Sequence, residues 1–81
     1  MLNLKINAKK LEGKVYPSDL VQKLRDNEIE LGFYTSKNED GEDLIVEIKE
    51  DYVRIDTIQN NGWIRINCYY LDGIKTETYK K

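Results

Sequence analysis

Only a few residues in this sequence have side chains of the types that commonly act in catalysis or bind metal ions. Cys68 is the one cysteine, and there is no histidine among the 81 residues. A cysteine nucleophile without a histidine base is hard to activate, and one cysteine cannot make a zinc site. The alternation of apolar residues also places Cys68 with Ile55 and Ile66 on a buried face, where a thiol stays protonated. The sequence therefore predicts a core cysteine and no bound cofactor or metal.

The acidic loop between residues 36 and 43 is a second place to look for a metal site. Gly41 can be aligned with the glycine of an EF-hand loop, which puts Asn38 and Asp40 at ligand positions. The match breaks at Ser36, where an aspartate belongs, and in the flanking segments, which alternate as strands rather than helices. The loop is instead a secondary candidate for contact with a partner, through Glu39, Asp40, Glu42 and Asp43.

Carboxylates are the remaining residues that could support enzyme chemistry. A general acid and base would need a pair such as Glu47 and Asp56 held together in a pocket. The chain has neither a phosphate-binding loop nor the glycine motif of a dinucleotide site. The sequence therefore predicts a protein that is not an enzyme.

The stretch from Leu44 to Tyr79 must position most of these residues, and it is predicted to form four short antiparallel strands. Turn signals lie at residues 50–51, 61–62 and 72–73. If each is a two-residue turn, Ile55 lies opposite Cys68 and Tyr69 lies opposite Thr76, and the three registers agree on one apolar face. That predicted core face carries Leu44, Val46, Ile48, Val53, Ile55, Ile64, Ile66 and Cys68.

The other face of the predicted sheet is the candidate binding surface. It is rich in Trp, Tyr and Arg, which dominate the energetics of protein interfaces. The same residue types stack and hold the bases of single-stranded nucleic acids. The alternative is ordinary cross-strand pairing on a solvated face, for example Arg54 over Tyr69. The predicted partner-binding residues are Tyr52, Arg54, Trp63, Arg65, Asn67 and Tyr69.

One α-helix is predicted from about Ser18 to Asn27. Ser18 is the expected N-cap, and Asn27 tolerates the left-handed conformation of a helix end. Leu20, Val21 and Leu24 share one side of this helix. A helix of this length is marginal alone in water, so the sequence predicts that it packs on the sheet.

Two further segments alternate as strands. Residues 2–7 and 10–15 predict an N-terminal hairpin with its turn at Ala8 and Lys9. Residues 28–35 predict another strand, with Leu31 and Phe33 on one side and Tyr34 on the other.

The fold class that follows is α+β, an antiparallel meander of about five to seven short strands with one helix packed on one face. The alternative is a small barrel-like sheet capped by the helix. At 81 residues the chain is predicted to be a single compact domain, 1–81, near the lower size at which a core is stable without disulfides or metals.

Composition limits the function. Hydrophobic residues make up 40% of the chain and charged residues 35%, and no run reaches the roughly 20 apolar residues of a membrane span. A signal peptide is also lacking, so we expect a cytoplasmic protein without a membrane partner. A bias toward Lys, Asn, Ile and Tyr is typical of AT-rich genes and suggests a bacterial, phage or mobile-element source.

The predicted function is a small non-enzymatic protein that binds another protein, as an interaction module or as an inhibitor of a host factor. The alternative is a nucleic-acid-binding domain that uses the aromatic and arginine face, although a net charge of −2 counts against phosphate binding. A homo-oligomer is also open. Lys75, Lys80 and Lys81 resemble the charges that keep an edge strand from pairing.

Overall fold

The computed structural model describes residues 8–11 and 15–81. The elements are β1 (Lys9–Lys10), α1 (Pro17–Arg25), β2 (Gly32–Lys37), β3 (Asp43–Ile48), β4 (Tyr52–Ile58), β5 (Ile64–Tyr70) and β6 (Lys75–Lys80). The six strands form one sheet in the order β1-β2-β3-β4-β5-β6. β1 pairs with β2 in parallel, and every later pair is antiparallel. The predicted α+β meander is confirmed, and the barrel alternative is wrong because the sheet does not close.

Helix α1 begins one residue before the predicted cap. Pro17 occupies the first turn, where its missing N–H costs nothing and its fixed φ suits a helix. Tyr16 is therefore the N-cap residue and makes no side-chain cap, and Ser18 lies inside the helix. After the helix, Asn27 adopts the left-handed conformation at φ 55°. The prediction of a left-handed residue at Asn27, after the helix, is confirmed.

The helix packs against one face of the sheet, which we call the covered face; the opposite side is the open face. Leu20 and Leu24 are the buried residues of α1. Val21, also predicted on this side, is partly buried against the core. The buried core consists of Leu20, Leu24, Tyr34, Leu44, Val46, Ile48, Val53 and Ile55.

The N-terminal hairpin of the prediction lies mostly outside the described residues. Lys9, predicted in the turn, is instead part of strand β1 and lies opposite Tyr34 in a parallel ladder. The Leu11 N–H continues this pairing by donating to the Thr35 carbonyl over 2.8 Å. The predicted turn at Ala8 and Lys9 is therefore wrong, because hydrogen bonds to the outer edge of β2 hold this segment extended.

Strand β2 starts at Gly32, later than predicted, and its tyrosine is the residue that joins the core. Tyr34 is buried, and its hydroxyl donates to the Glu30 carbonyl over 2.7 Å, which satisfies the polar end of the side chain. Phe33 and Leu31 are exposed, while Ile29 packs against the core. The segment from 28 to 35 therefore does not present one apolar side.

The β3–β4 connection has the predicted register. Val46 lies opposite Ile55, and Glu47 lies opposite Arg54. The Lys49 N–H donates to the Tyr52 carbonyl over 3.0 Å, which leaves residues 50–51 as a two-residue turn. The first of the three predicted turns is confirmed.

The next two connections are longer by one residue than predicted. The Gln59 N–H donates to the Trp63 carbonyl over 2.9 Å, so residues 60–62 form a three-residue loop. In the same way, the Tyr70 N–H donates to the Ile74 carbonyl over 2.9 Å, and residues 71–73 form the second such loop. Ile55 consequently lies opposite Asn67 rather than Cys68.

The sequence of each loop explains its length. Gly62 at φ 91° and Gly73 at φ 95° provide the left-handed residue that closes a three-residue hairpin loop. Asn61 Oδ1 accepts the Trp63 N–H, and Asp72 Oδ1 accepts the Ile74 N–H, each over 3.0 Å. The two loops therefore share one architecture, in which the Asn or Asp side chain caps the turn and the glycine forms a bulge.

A register shift of one residue moves every side chain of a strand to the other face. In β5, Arg65, Asn67 and Tyr69 therefore lie on the covered face, opposite Thr57, Ile55 and Val53. The residues predicted for the core, Ile64, Ile66 and Cys68, lie on the open face. The second shift, at residues 71–73, moves Lys75 rather than Thr76 opposite Tyr69.

Candidate binding surfaces

The six predicted partner-binding residues do not share one face. Tyr52 and Arg54 are on the open face, as predicted. Trp63, Arg65, Asn67 and Tyr69 are on the covered face because of the shift at residues 60–62. The cation–π contact expected between Arg54 and Tyr69 is therefore wrong, since the two side chains point away from each other across the sheet.

The open face carries an exposed apolar surface. Phe33, Ile45 and Ile58 are 38%, 37% and 39% exposed, respectively. They adjoin the half-buried side chains of β5. Ile58 lies opposite Ile64, and Asp56 of β4 lies between Ile45 and Ile66. Tyr52 and Tyr70 extend the surface, with ring centroids 5.6 Å apart. The apolar side chains of this face are Phe33, Ile45, Ile58, Ile64, Ile66, Cys68, Tyr52 and Tyr70.

Most charged residues of the open face form ion pairs with one another. Arg54 donates from Nε and Nη2 to the two oxygens of Asp56 over 2.8 and 3.0 Å, and this hydrogen bonding raises the pKa of Arg54. Lys37 contacts Asp43 at 2.8 Å. Lys49 Nζ lies 3.8 Å from Glu47. The open face therefore has little net charge.

Glu47 and Asp56, the carboxylates considered for catalysis, line one shallow depression of about 270 Å³ with Phe33, Ile45 and Arg54. Arg54 holds Asp56. Glu47 accepts a hydrogen bond from the Tyr52 hydroxyl over 3.3 Å. Burial, followed by the negative charge of Glu47, raises the pKa of Tyr52. This arrangement supplies ion pairs that fix side chains in place.

Cys68 belongs to the open face as well. It lies opposite Arg54 and is half-buried, so its predicted place in the core beside Ile55 is wrong. The physical reason is again the three-residue loop at 60–62, which reverses the orientation of β5.

The covered face carries a second surface along its last two strands, which we call the β5–β6 strip. It comprises Trp63, Arg65, Asn67, Tyr69, Lys75, Glu77, Tyr79 and Lys81. Lys75 Nζ lies 5.4 Å from the centre of the Tyr69 ring, and Lys81 Nζ lies 5.5 Å from that of Trp63. Trp63 is 40% exposed and Tyr79 is 53% exposed. Aromatic rings and cations therefore alternate along this strip.

Glu77 organises the middle of the β5–β6 strip. Its two oxygens accept hydrogen bonds from Asn67 Nδ2 over 2.9 Å and from the Tyr79 hydroxyl over 3.0 Å. These two contacts lower the pKa of Glu77. Asn67 is only 6% exposed, so its side chain is buried below the surface of the strip. The exposed side chains of the strip are those of neighbouring residues, such as Trp63 and Tyr79.

The acidic loop, proposed as a secondary contact site, is held by its own hydrogen bonds. Asn38 Oδ1 accepts the N–H groups of Asp40 and Glu42 over 3.0 and 2.9 Å. The carboxylate of Glu42 accepts from Asn38 Nδ2 over 2.9 Å and from the Asn60 N–H over 2.8 Å, and both contacts lower its pKa. Glu42 thus joins the β2–β3 loop to the β4–β5 loop, whereas Glu39 and Asp40 are exposed at the tip.

Two further observations concern possible ligands and membranes. Within residues 8–11 and 15–81, no three His, Cys, Asp or Glu residues form a group that could hold a metal ion. The helix in the described part of the chain is too short to cross a membrane.

Comparison of the chain with known protein families, with curated proteins and with solved structures finds no match.

Reasoning from the sequence missed the apolar residues of the open face. Phe33, Ile45 and Ile58 were not among the predicted contact residues. A signal for Ile45 was present, since the run Leu44-Ile45-Val46 breaks the alternation expected of a strand with one solvated side. Such a run indicates a strand with apolar side chains on both faces.

Proposed function

We propose that this protein is a non-enzymatic protein-binding module that docks another protein on the open face of its sheet. One observation carries the proposal: Phe33, Ile45 and Ile58 are each more than a third exposed, on a sheet face that none of the described residues covers. Contiguous exposed apolar surface on a small domain is typical of an interaction site.

The charges of the open face indicate the chemistry of the partner. The charges cancel within each of three ion pairs, which are Arg54–Asp56, Lys37–Asp43 and Lys49–Glu47. The open face therefore has no cluster of charges of one sign. A partner surface that presents apolar side chains and is low in net charge fits best. Phe33, Tyr52 and Arg54 are of the types that contribute most to such interfaces. A module of this kind acts as an inhibitor where the surface that it covers is a functional one.

The test is capture of a partner from nuclease-treated extract of the source cell, followed by binding measurements with the purified partner. Replacing Ile45 with Lys places a charge in the apolar surface, and we expect the affinity to fall by at least about tenfold. Tyr16→Lys introduces the same side chain at an exposed position beside helix α1, outside both candidate surfaces, and serves as the matched control. Equal affinity of the two variants and the unaltered chain would overturn the proposal.

A second candidate function is binding of single-stranded nucleic acid by the β5–β6 strip. The alternation of Trp63, Tyr69 and Tyr79 with Arg65, Lys75 and Lys81 favours it, since such surfaces stack bases and neutralise phosphates. Glu77 and the net charge of −2 oppose it. We therefore place it after protein binding.

A salt titration with a labelled oligonucleotide tests this second candidate. Three cations that contact phosphates predict a slope of log affinity against log salt of about −2. Arg65→Ala is expected to weaken binding, whereas Arg54→Ala, on the open face, is the matched control. Weak, salt-independent binding that both variants share would exclude the β5–β6 strip as a nucleic-acid site.

A further inference from the structure

The open face, on which the proposed function depends, also indicates which partner binds there. This inference therefore rests on the proposed function. We propose that the occupant of the open face is a second copy of this chain, packed face to face in a two-fold symmetric dimer. The two sheets then form a sandwich, with a helix on each outer side.

The arrangement of residues on the open face suits such a dimer. Cross-strand neighbours form rows, one running from Phe33 through Glu47, Arg54 and Cys68 to Thr76. The next row runs Thr35, Ile45, Asp56, Ile66 and Thr78, and a third runs Lys37, Asp43, Ile58, Ile64 and Lys80. The inner strands place the apolar side chains of Ile45, Ile58, Ile64, Ile66 and Cys68 around a charged group of Glu47, Arg54 and Asp56, while threonines and lysines occupy much of the margin. The charged centre must therefore be matched by the second copy if the surrounding apolar side chains are to be buried.

The size of the open face is sufficient for a weak to moderate dimer. With a strand spacing of about 4.8 Å and a rise of about 3.3 Å per residue, β2 to β6 cover roughly 24 by 20 Å, or about 500 Å² in projection. Side-chain relief raises the accessible area above this value. Specific interfaces bury about 600 to 800 Å² on each partner, so the whole open face is needed.

The charges at the centre of the open face are self-complementary. Each copy presents the guanidinium of Arg54 beside the two carboxylates of Glu47 and Asp56. Asp56 uses two of the five N–H donors of Arg54, and the other donors are available to a carboxylate of the second copy. Two-fold symmetry would form this contact twice. A face of one charge sign would instead repel its own copy.

The domain also has a physical reason to self-associate. Its helix of nine residues covers one side of the sheet only, and the buried core is built from a few residues of that side. A small domain buries a smaller fraction of its surface on folding than a large domain does. Pairing two open faces adds a second apolar layer, because sheets stack at about 10 Å with interdigitated side chains.

The test is the mass of the purified full chain in solution, measured by light scattering and analytical ultracentrifugation from about 1 to 300 μM. We expect a monomer–dimer equilibrium with a dissociation constant in the micromolar range. Ile45→Lys is expected to raise that constant at least tenfold, while Tyr16→Lys, at an exposed position beside helix α1, leaves it unchanged. Circular dichroism checks that both variants are folded.

Cys68 provides a second measurement that does not depend on a variant. It is the one cysteine of the chain and lies within the open face. Its rate of reaction with a maleimide is expected to fall as the protein concentration rises through the dimer range. A rate that is independent of concentration, in a sample that light scattering shows to be dimeric, would place the interface elsewhere and overturn the proposal.

The remaining outcomes separate this inference from the proposed function. A protein that is monomeric at every concentration overturns the proposed dimer. The proposed function still stands in that case if Ile45→Lys abolishes capture of a different, purified partner. A monomer that captures nothing overturns both. In a further outcome the protein is a monomer, and its Cys68 reacts slowly until Leu2→Asp and Leu4→Asp are introduced. This outcome means that the N-terminal segment of the same chain occupies the open face, and it overturns the dimer.

Discussion

Asn67 and Glu77 lie opposite each other in the β5–β6 ladder, and Asn67 Nδ2 donates a hydrogen bond to Glu77 Oε1 over 2.9 Å. Asn67 is one of two buried polar residues in the described part of the chain, the other being Thr57. A buried amide is costly unless it is paired. The contact with Glu77 therefore makes it possible for β5 to turn its asparagine, rather than its isoleucines, toward the helix.

Replacing Asn67 with Ala removes this hydrogen bond and leaves a small void. We expect the free energy of unfolding to fall by about 1 to 2 kcal/mol. Asn60→Ala, at an exposed loop position, is the matched control and should change it by less than about 0.5 kcal/mol. Chemical denaturation of both variants measures the difference, and equal values would contradict the role given to Asn67.

The stability of the protein is expected to fall in acid, because the pKa values of Glu42 and Glu77 are lowered. Hydrogen bonds from Asn38 and the Asn60 N–H act on Glu42, and those from Asn67 and Tyr79 act on Glu77. A carboxyl group whose folded pKa lies below the unperturbed value of 4.5 stabilises the fold above that pH. This contribution is lost as the pH falls through the lowered folded pKa.

The check is a series of denaturation curves between pH 7 and pH 2, with Glu42→Gln and Glu77→Gln beside the unaltered chain. Each variant is expected to be less stable at pH 7 and to lose less stability below pH 4.5, where it approaches the unaltered chain. Glu50→Gln, in an exposed turn, is the control. Parallel pH profiles for all four proteins would contradict the assignment.

The two three-residue loops each depend on a glycine in the left-handed region. Gly62→Ala and Gly73→Ala are each expected to cost about 1 to 2 kcal/mol of folding free energy. The cost is conformational, because a Cβ at either position meets nothing within 4 Å. Asn tolerates this region better than Ala, so Gly62→Asn and Gly73→Asn should restore part of the loss. Thermal denaturation measures all four variants, and an Ala variant as stable as the parent would argue against the left-handed loop.

The two faces of β3 should respond differently to one substitution. Ile48 is 1% exposed on the covered face, whereas Ile45 is on the open face. Ile48→Thr buries a hydroxyl and removes apolar contacts, and we expect a loss of about 2 to 4 kcal/mol. Ile45→Thr should cost less than about 1 kcal/mol and raise solubility. Denaturant titration at low protein concentration excludes any contribution from dimers, and equal losses would contradict the assignment of faces.

Local signals in the sequence were sufficient for most elements of the fold. The polar stretch after residue 36, Asn27 and the three turn signals divided the chain near the observed boundaries. The register of β3 against β4 was also predictable, because the turn at 50–51 and the pairing of Val46 with Ile55 agree. These features depend on neighbouring residues only.

The candidate site was less predictable. Asn61-Gly62 and Asp72-Gly73 are compatible with two-residue and with three-residue loops, and the two choices place β5 in opposite orientations. Alternation cannot decide between them, since β5 has Ile64 and Ile66 on one side and Tyr69 on the other, and either set can be buried. The prediction chose the isoleucines and was wrong.

The amino-acid sequence alone therefore determined the order of the later strands, the helix and the class of fold, because hydrophobic period and turn chemistry are local properties. The tertiary structure decided which side of β5 faces the helix. That choice depends on contacts between strands: the pairing of Val53 with Tyr69 and the hydrogen bond from Asn67 to Glu77. It left Ile64, Ile66 and Cys68 on the open face, and so placed there the apolar surface on which the proposed function depends.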